Sequence, residues 1–179
     1  IVGLDDPRRE CAAGETGELA VNGANVTAGY LNRPDENAAS FVDGWFLTGD
    51  IGHMDADGFI FLVDRKKDMI ISGGFNVYPQ MIEQAIYEHP DVEEVLVIGV
   101  ADPYRGEAAK AFVKLRAGAT ELTLDDLRAF LKDRLGKHEM PAALDIRPAL
   151  PRTSVGKLSK LELKQEERAK AAVPTSQGA

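Results

Sequence analysis

The sequence predicts an α/β (α+β) chain: a small β subdomain followed by a compact C-terminal domain with a short sheet flanked by helices. Three observations predict it. Through residue 63 the apolar residues come in short alternating runs between Gly, Asp and Asn turns, the pattern of strands joined by hairpins. Five consecutive charges, Asp64-Arg65-Lys66-Lys67-Asp68, then interrupt the pattern, and such a run belongs in solvent between packed units rather than in a core strand. From residue 69 to about 172, strand-like and helix-like segments alternate, which makes a compact α/β domain. The expected division is 1–63 as the distal β subdomain of a larger domain, 64–68 as a hinge, 69–172 as the C-terminal domain and 173–179 as a disordered tail.

Taken in order, Gly17 to Gly23 alternates apolar and polar residues and reads as a strand. Asp35 to Phe41 is a candidate short helix. Asp43-Gly44 is a turn before the strand Trp45-Phe46-Leu47, and Asp55 to Gly58 is a hairpin turn between arms Ile51–Met54 and Phe59–Val63. A helix is predicted over Pro79–His89, with proline in its first turn and Ile82, Ala85 and Ile86 on one face. Val92–Val100 and Ala108–Leu115 read as long strands. Thr123 caps a helix running to Leu135, with Asp125 and Asp126 in its first turn. Leu144–Ile146 is a short strand, and Ser159 opens a last charged helix to about Ala172.

Composition removes several functions. A single cysteine, Cys11, excludes a disulfide framework and a thiolate metal cluster. His53, His89 and His138 lack ligand spacing, so no metal site is expected from them. No apolar run approaches the roughly 20 residues of a membrane span and no basic-apolar leader is present, so a cytoplasmic protein is expected. The net charge of -8 disfavours nucleic acid. That charge lies in residues 1–63, with three Lys/Arg against eleven Asp/Glu. Residues 147–170 hold seven basic residues against three acidic ones, a patch where a small polyanion is expected to dock. The opening Ile1-Val2-Gly3-Leu4 lacks methionine and reads like mid-strand, which suits a fragment of a longer protein.

Four places carry chemistry. Thr48-Gly49-Asp50 puts a carboxylate after a glycine turn, where it can accept from adjacent sugar hydroxyls at about 1.5–3 kcal/mol each. Arg65, at the proposed boundary, can reach the same ligand's hydroxyls or phosphate. Ser72-Gly73-Gly74, read as a turn between a strand and a helix, lets a ligand pass close to the backbone. Lys157 ends a Gly turn that mimics a phosphate loop but is not one. The first glycine of GxxxxGK[ST] would fall at Pro151, and Leu158 stands where Ser or Thr is needed. Read alone, Asp50 is more readily a turn aspartate and Arg65 an interdomain salt bridge or solvated charge; the glycines are equally a tight turn, and Lys157 has the alternative of a surface lysine.

Together the segments resemble the adenylate-forming superfamily of acyl-CoA synthetases, peptide-synthetase adenylation domains and luciferases. Four motifs stand in the family's order: Gly17-Glu18-Leu19 through Gly29-Tyr30-Leu31-Asn32-Arg33-Pro34, Trp45 to Asp50, Asp64 to Asp68 through Ser72 to Pro79, and Leu150-Pro151 through Gly156-Lys157. The third is similar to that of long- and medium-chain fatty-acid–CoA ligases. The resemblance implies a carboxylic acid, such as a fatty acid, ATP with Mg2+, and coenzyme A as substrates and cofactors. It implies a two-step reaction through an acyl-adenylate. Asp50 and Arg65 match the ribose contacts and Lys67 the hinge of a mobile C-terminal domain. Lys157 matches the catalytic lysine of the first step, and Ser72, Gly73 and Gly74 the loop that lines the coenzyme A tunnel. Phe75 departs from relatives that carry an arginine there. The family's Ser/Thr/Gly-rich phosphate loop is absent from this sequence, so the chain alone is expected to be inactive. Other readings are a ligase for a dicarboxylate such as pimelate or for an aryl acid, and a stand-alone nucleotide- or coenzyme A-binding cap. The reading also admits peripheral membrane association and a lysine acetyltransferase acting on Lys157.

Overall fold

The computed structural model describes residues 1–119 and 121–172. The expected disordered tail, 173–179, lies outside them. The chain divides into two compact units, the first Ile1–Lys67 and the second beginning at Asp68.

The first unit is a four-stranded antiparallel sheet built on one long strand. Its strands are β1 (Gly17–Val21), β2 (Phe41–Val42), β3 (Trp45–Met54) and β4 (Ile60–Arg65), with a short helix, α1 (Pro34–Ser40), that buries no residue, before β2. β3 pairs with β1, β2 and β4. Asp43 and Gly44 both take positive φ, 50° and 84°, the two-residue hairpin geometry that matches strand twist. The β3–β4 turn is closed by Asp55, whose carboxylate accepts from the N–H groups of Asp57 and Phe59 at 3.0 and 2.9 Å. Little apolar material is buried here: Ile51 is fully enclosed, whereas Phe59, Ile60, Phe61 and Leu62 of the edge strand are 49–66% exposed.

The charge run does not cross solvent as a whole. Pairing carries β4 through Arg65, opposite Asp50, and Asp64 is buried at 7% exposure. Its carboxylate accepts the Arg65 N–H at 2.7 Å, and a hydrogen-bonded carboxylate tolerates burial that a free one does not. A 3-10 turn, Lys66–Asp68, follows.

The second unit holds β5 (Ile70–Ser72), β6 (Phe75–Val77), α2 (Pro79–Tyr87), β7 (Val92–Asp102), β8 (Gly106–Leu115), α3 (Leu124–Leu131), β9 (Ala143–Ile146) and α4 (Leu161–Ala172). The sheet runs β6-β5-β8-β7, with β9 parallel to β8. β7 and β8 pair along their whole length, and their period of two splits the core. Val95, Val97, Ala109, Ala111 and Val113 join Ile82, Ile86, Leu127 and Leu131 in one cluster with α2 and α3. Leu96, Ile98 and Phe112 join Leu150 and Leu163 of α4 in the other. The result is three layers.

Thr123 caps α3 through a reciprocal capping box with Asp126. The helix ends at Leu131, four residues before the expected Leu135. Gly73-Gly74 differs more from expectation. It is the turn of a β5–β6 hairpin rather than a strand-to-helix turn, because β6 intervenes before α2.

α4 is mostly polar and is held by one apolar knob and several ion pairs. Leu163 is fully buried. Lys164 binds Asp68 at 2.6 Å, Glu167 binds Lys110 at 2.9 Å and Glu166 binds Arg147 at 2.7 Å. Lys110 and Arg147 also lie over the Phe112 ring, 4.9 and 4.8 Å from its centre. The single knob makes a prediction. Leu163→Ala is expected to cost about 2–5 kcal/mol, the usual range for truncating a buried leucine, and to loosen α4 first. Urea unfolding combined with amide exchange of the α4 peptides checks this.

Candidate functional site

The first unit gathers Thr48, Gly49, Asp50 and Arg65 through strand pairing. Leu19 of β1 anchors the turn by accepting from the Thr48 hydroxyl at 2.9 Å, and that oxygen accepts the Asp50 N–H at 3.1 Å. Asp50 and Arg65 are register partners across β3 and β4. Their side chains meet, Arg65 Nε to Asp50 Oδ1 at 2.7 Å. The guanidinium is more than half exposed, so its two outer nitrogens face solvent beside the carboxylate. Thr48, Gly49, Arg65, Lys66 and Lys67 line an open concavity here. A paired carboxylate and guanidinium on a concave surface can accept from and donate to a polyhydroxylated ligand at once.

Glu18 organises this corner, and sequence reading assigned it no role. Its carboxylate is 4% exposed; it accepts the Gly49 N–H at 3.0 Å and the Lys66 ammonium at 2.7 Å. One buried acid therefore fixes the residue before Asp50 and the residue after Arg65. The signal was present, since a charged residue inside the alternating run Gly17–Val21 must find partners if it points inward.

In the second unit, Gly73 and Gly74 take φ of 58° and 85°, a two-residue turn that glycine adopts without strain. The Gly73 N–H donates to the Arg105 carbonyl at 2.8 Å. Ser72 is 2% exposed, and its Oγ has no hydrogen-bond partner among the described residues. Ser72, Gly73, Phe75, Tyr104, Arg105, Lys137 and His138 line a concavity. Phe75 stacks on His138 with ring centres 4.8 Å apart. Tyr104 and Arg105 are offered by the β7–β8 turn, where Asp102 accepts both their N–H groups at 2.9 and 2.8 Å. Those bonds, the Arg105 N–H first, hold the Asp102 carboxyl below the usual aspartate range. Aromatic faces with two cations suit a phosphorylated ring ligand. Sequence reading missed this group, because its members come from three loops.

Lys157 stands on a separate hairpin of the second unit, closed by an Arg152–Leu158 bridge. It is exposed and makes no ion pair among the described residues. The polyanion patch expected over 147–170 is largely cancelled. Arg147, Arg152, Lys160 and Lys164 bind Asp145, Glu94, Glu83 and Asp68, all acids from outside that stretch. Within that stretch Lys157 and Arg168 are the exposed cations without an ion pair among the described residues. The lysine hairpin is tied to Glu94 near the start of β7, and the glycine turn to Arg105 just beyond its end. Glu94 and Asp102 are separated by roughly 26 Å of extended strand.

The remaining candidates stay apart. His53 stacks on Phe61, and His89 meets the edge of Phe130. Among the described residues no group of three or more His, Cys, Asp or Glu is placed to hold a metal ion. Nor is any helix among them long and apolar enough to cross a membrane. Burial pushes the Cys11 thiol up, away from the reactive thiolate.

Comparison with known proteins gives a consistent picture. The family of AMP-binding enzyme C-terminal domains matches residues 81–157. The long-chain-fatty-acid–CoA ligase of Bacillus subtilis (strain 168) is 49% identical over 153 residues, covering 86% of this chain and 27% of the relative. The 2-succinylbenzoate–CoA ligase of Geobacillus kaustophilus is 46% identical over 159 residues, covering 88% and 32%. The solved o-succinylbenzoate CoA synthetase of Bacillus subtilis, in complex with its acyl-adenylate intermediate, superposes with a TM-score of 0.81 at 36% identity, over 92% of this chain and 33% of that one. The chain thus spans about a third or less of the proteins it matches.

The Glu18 cluster makes a prediction that needs no ligand. Glu18→Gln keeps an acceptor for Gly49 but loses the charge opposite Lys66. It is expected to destabilise the first unit by about 1–2 kcal/mol, the value of a charge-assisted bond discounted for the half-exposed lysine. Trp45 is the only tryptophan and lies in β3, so its fluorescence during urea unfolding reports that unit alone.

Proposed function

The chain belongs to the adenylate-forming superfamily through its AMP-binding enzyme C-terminal domain, and on that premise we propose that it is the C-terminal portion of an ATP-dependent long-chain fatty-acid–CoA ligase. The reading rests chiefly on one observation: Lys157, without an ion pair among the described residues, and a glycine turn are tied to opposite ends of β7. Tools that far apart on one rigid strand do not serve one reaction centre in a single orientation. They serve it in turn if the unit that carries them rotates, and Lys67, the last residue of the first unit, is where we assign the pivot.

In the first step a carboxylate oxygen attacks the α-phosphorus of MgATP and pyrophosphate leaves with the broken bond's electrons. Asp50 and Arg65 hold the ribose, the carboxylate accepting from its hydroxyls and the guanidinium donating. The Lys157 ammonium sits against the negative charge shared by the α-phosphate and the incoming acid, and lowers the barrier where that charge is concentrated. In the second step the thiol sulfur of coenzyme A attacks the acyl carbon, AMP leaves and the thiol proton is released. The turn Ser72-Gly73-Gly74 lines the path of the pantetheine arm, and the neighbouring Arg105, Lys137, Phe75 and His138 take the nucleotide end. Excluding water between the steps protects a hydrolysable adenylate.

The acid itself is assigned by similarity. A second reading, an aromatic dicarboxylate such as 2-succinylbenzoate, is favoured by the 46% identity to that ligase. Pyrophosphate exchange with a panel of fatty and aryl acids separates the two. The first unit's uncovered edge strand supports the view that the chain completes a larger domain and does not turn over alone. We place the enzyme in the cytoplasm. The exposed Lys157 is also open to an acetyltransferase, and acetylation would remove the charge the first step uses.

Two predictions follow from the division of labour in the complete ligase. Lys157→Ala is expected to lower ATP–pyrophosphate exchange by about 10²–10³ while thioester formation from supplied acyl-adenylate survives. Equal loss in both half-reactions defeats the assignment. Arg105→Ala is expected to raise the KM for coenzyme A about tenfold, one charge-assisted contact, with exchange unchanged.

A further inference from the structure

The hairpin that presents Lys157 is held at its base, where Leu150 and Leu158 meet the core and the Ser159 N–H donates to the Pro151 carbonyl at 2.9 Å, but its tip has little of its own to hold it still. Thr153 donates its N–H to the Lys157 carbonyl at 2.7 Å, and Gly156 to the Thr153 carbonyl at 2.9 Å. The Lys157 N–H reaches the Thr153 hydroxyl at 3.2 Å. Residues 152–157 are all exposed, Val155 at 78%, so no apolar packing fixes the tip. A tip of this kind swings freely unless something ties it to a rigid element.

Arg152 makes that tie. Its Nη1 donates to the Gly156 carbonyl at 2.7 Å, and its Nη2 donates to Glu94 Oε1 at 2.6 Å. Gly156 immediately precedes Lys157. Glu94 belongs to β7, is 16% exposed, and is steadied by Lys114 at 3.7 Å. One planar group therefore links the peptide that leads into Lys157 to β7, the longest strand of the unit. The rigid fork of a guanidinium spans two acceptors at fixed geometry, which an ammonium on a flexible stem does not reproduce.

We propose that Arg152, seated on Glu94, is a positioning residue that aims Lys157 for adenylation. The proposal rests on the reading that Lys157 acts in the first step. Arg152 is a member of no core cluster, and its side chain is about half exposed, so its truncation is expected to leave the unit folded and to free the tip. A small misplacement of a preorganised group costs about 10²-fold in rate.

The test uses the complete ligase with Arg152→Ala, Arg152→Lys, Glu94→Gln and, as reference, Lys157→Ala. Arg152→Ala is expected to lower the kcat of ATP–pyrophosphate exchange about 10²-fold with the KM for ATP little changed. Thioester formation from supplied acyl-adenylate stays intact. Arg152→Lys recovers only part of the rate, Glu94→Gln falls between, and amide exchange of the 152–158 peptide quickens at least tenfold with Tm unchanged. Full exchange activity in Arg152→Ala beside an inactive Lys157→Ala overturns the positioning role while leaving Lys157's role standing. A fall in both half-reactions together with Tm overturns it as well, since that is plain destabilisation. Active Lys157→Ala removes the underlying reading and the proposal with it.

Discussion

The β7–β8 hairpin buries both of its faces, and the second unit is arranged to satisfy that requirement. Every residue of β7 from Val95 to Ile98 is buried, alternately toward α2 and α3 and toward α4. A strand that apolar on both sides needs a layer on each. Its ends are then the places where polar loops emerge: the turn carrying Tyr104 and Arg105 at one, and the charged contact to the lysine hairpin at the other. The separation between these two places follows from strand length, so the same packing rule that stabilises the unit also holds its two candidate loops apart.

The first unit answers to a different rule. With Ile51 as its one fully buried large side chain, it is organised by polar groups that lie inside and must be satisfied. Glu18 does for this sheet what a core residue does elsewhere. It joins β1 to the turn at Gly49 and to Lys66, and the Asp50–Arg65 pair lies between those anchors. The geometry of the candidate ribose contact is thereby set by hydrogen bonding rather than by packing, which makes it sensitive to a single charge.

Much of this was legible in the residues. Pro79, Thr123 and Asp43-Gly44 announce their helix starts and hairpin through local chemistry, and local chemistry does not depend on the rest of the chain. The motifs around Asp50, Arg65 and Lys157 are contiguous, so the residues themselves carried the family resemblance. What escaped notice was non-local. β6 is three residues long, too short to display a period, and the glycine turn was therefore assigned to the wrong junction. Asp64 was expected in solvent because its neighbour's N–H is not visible as a partner in a linear charge run. The basic stretch 147–170 looked open because its acids lie at positions 68, 83, 94 and 145. Arg105, Lys137 and His138 meet Phe75 only once loops about 30 residues apart in sequence are folded together.

Strand β4 carries one more consequence. Its outer edge has no neighbour in the sheet, and Phe59 through Leu62 are about half or more exposed in unbroken succession. Natural sheets blunt such edges with charge, proline or a bulge; here the register irregularity at Val63 and the charges of Asp64 and Arg65 come only after the apolar run. A bare edge of this kind is a template on which another strand can nucleate. The exposed apolar edge of β4 thus keeps its backbone N–H and C=O groups open to pairing, which is the cost of a strand that pairs on one side only.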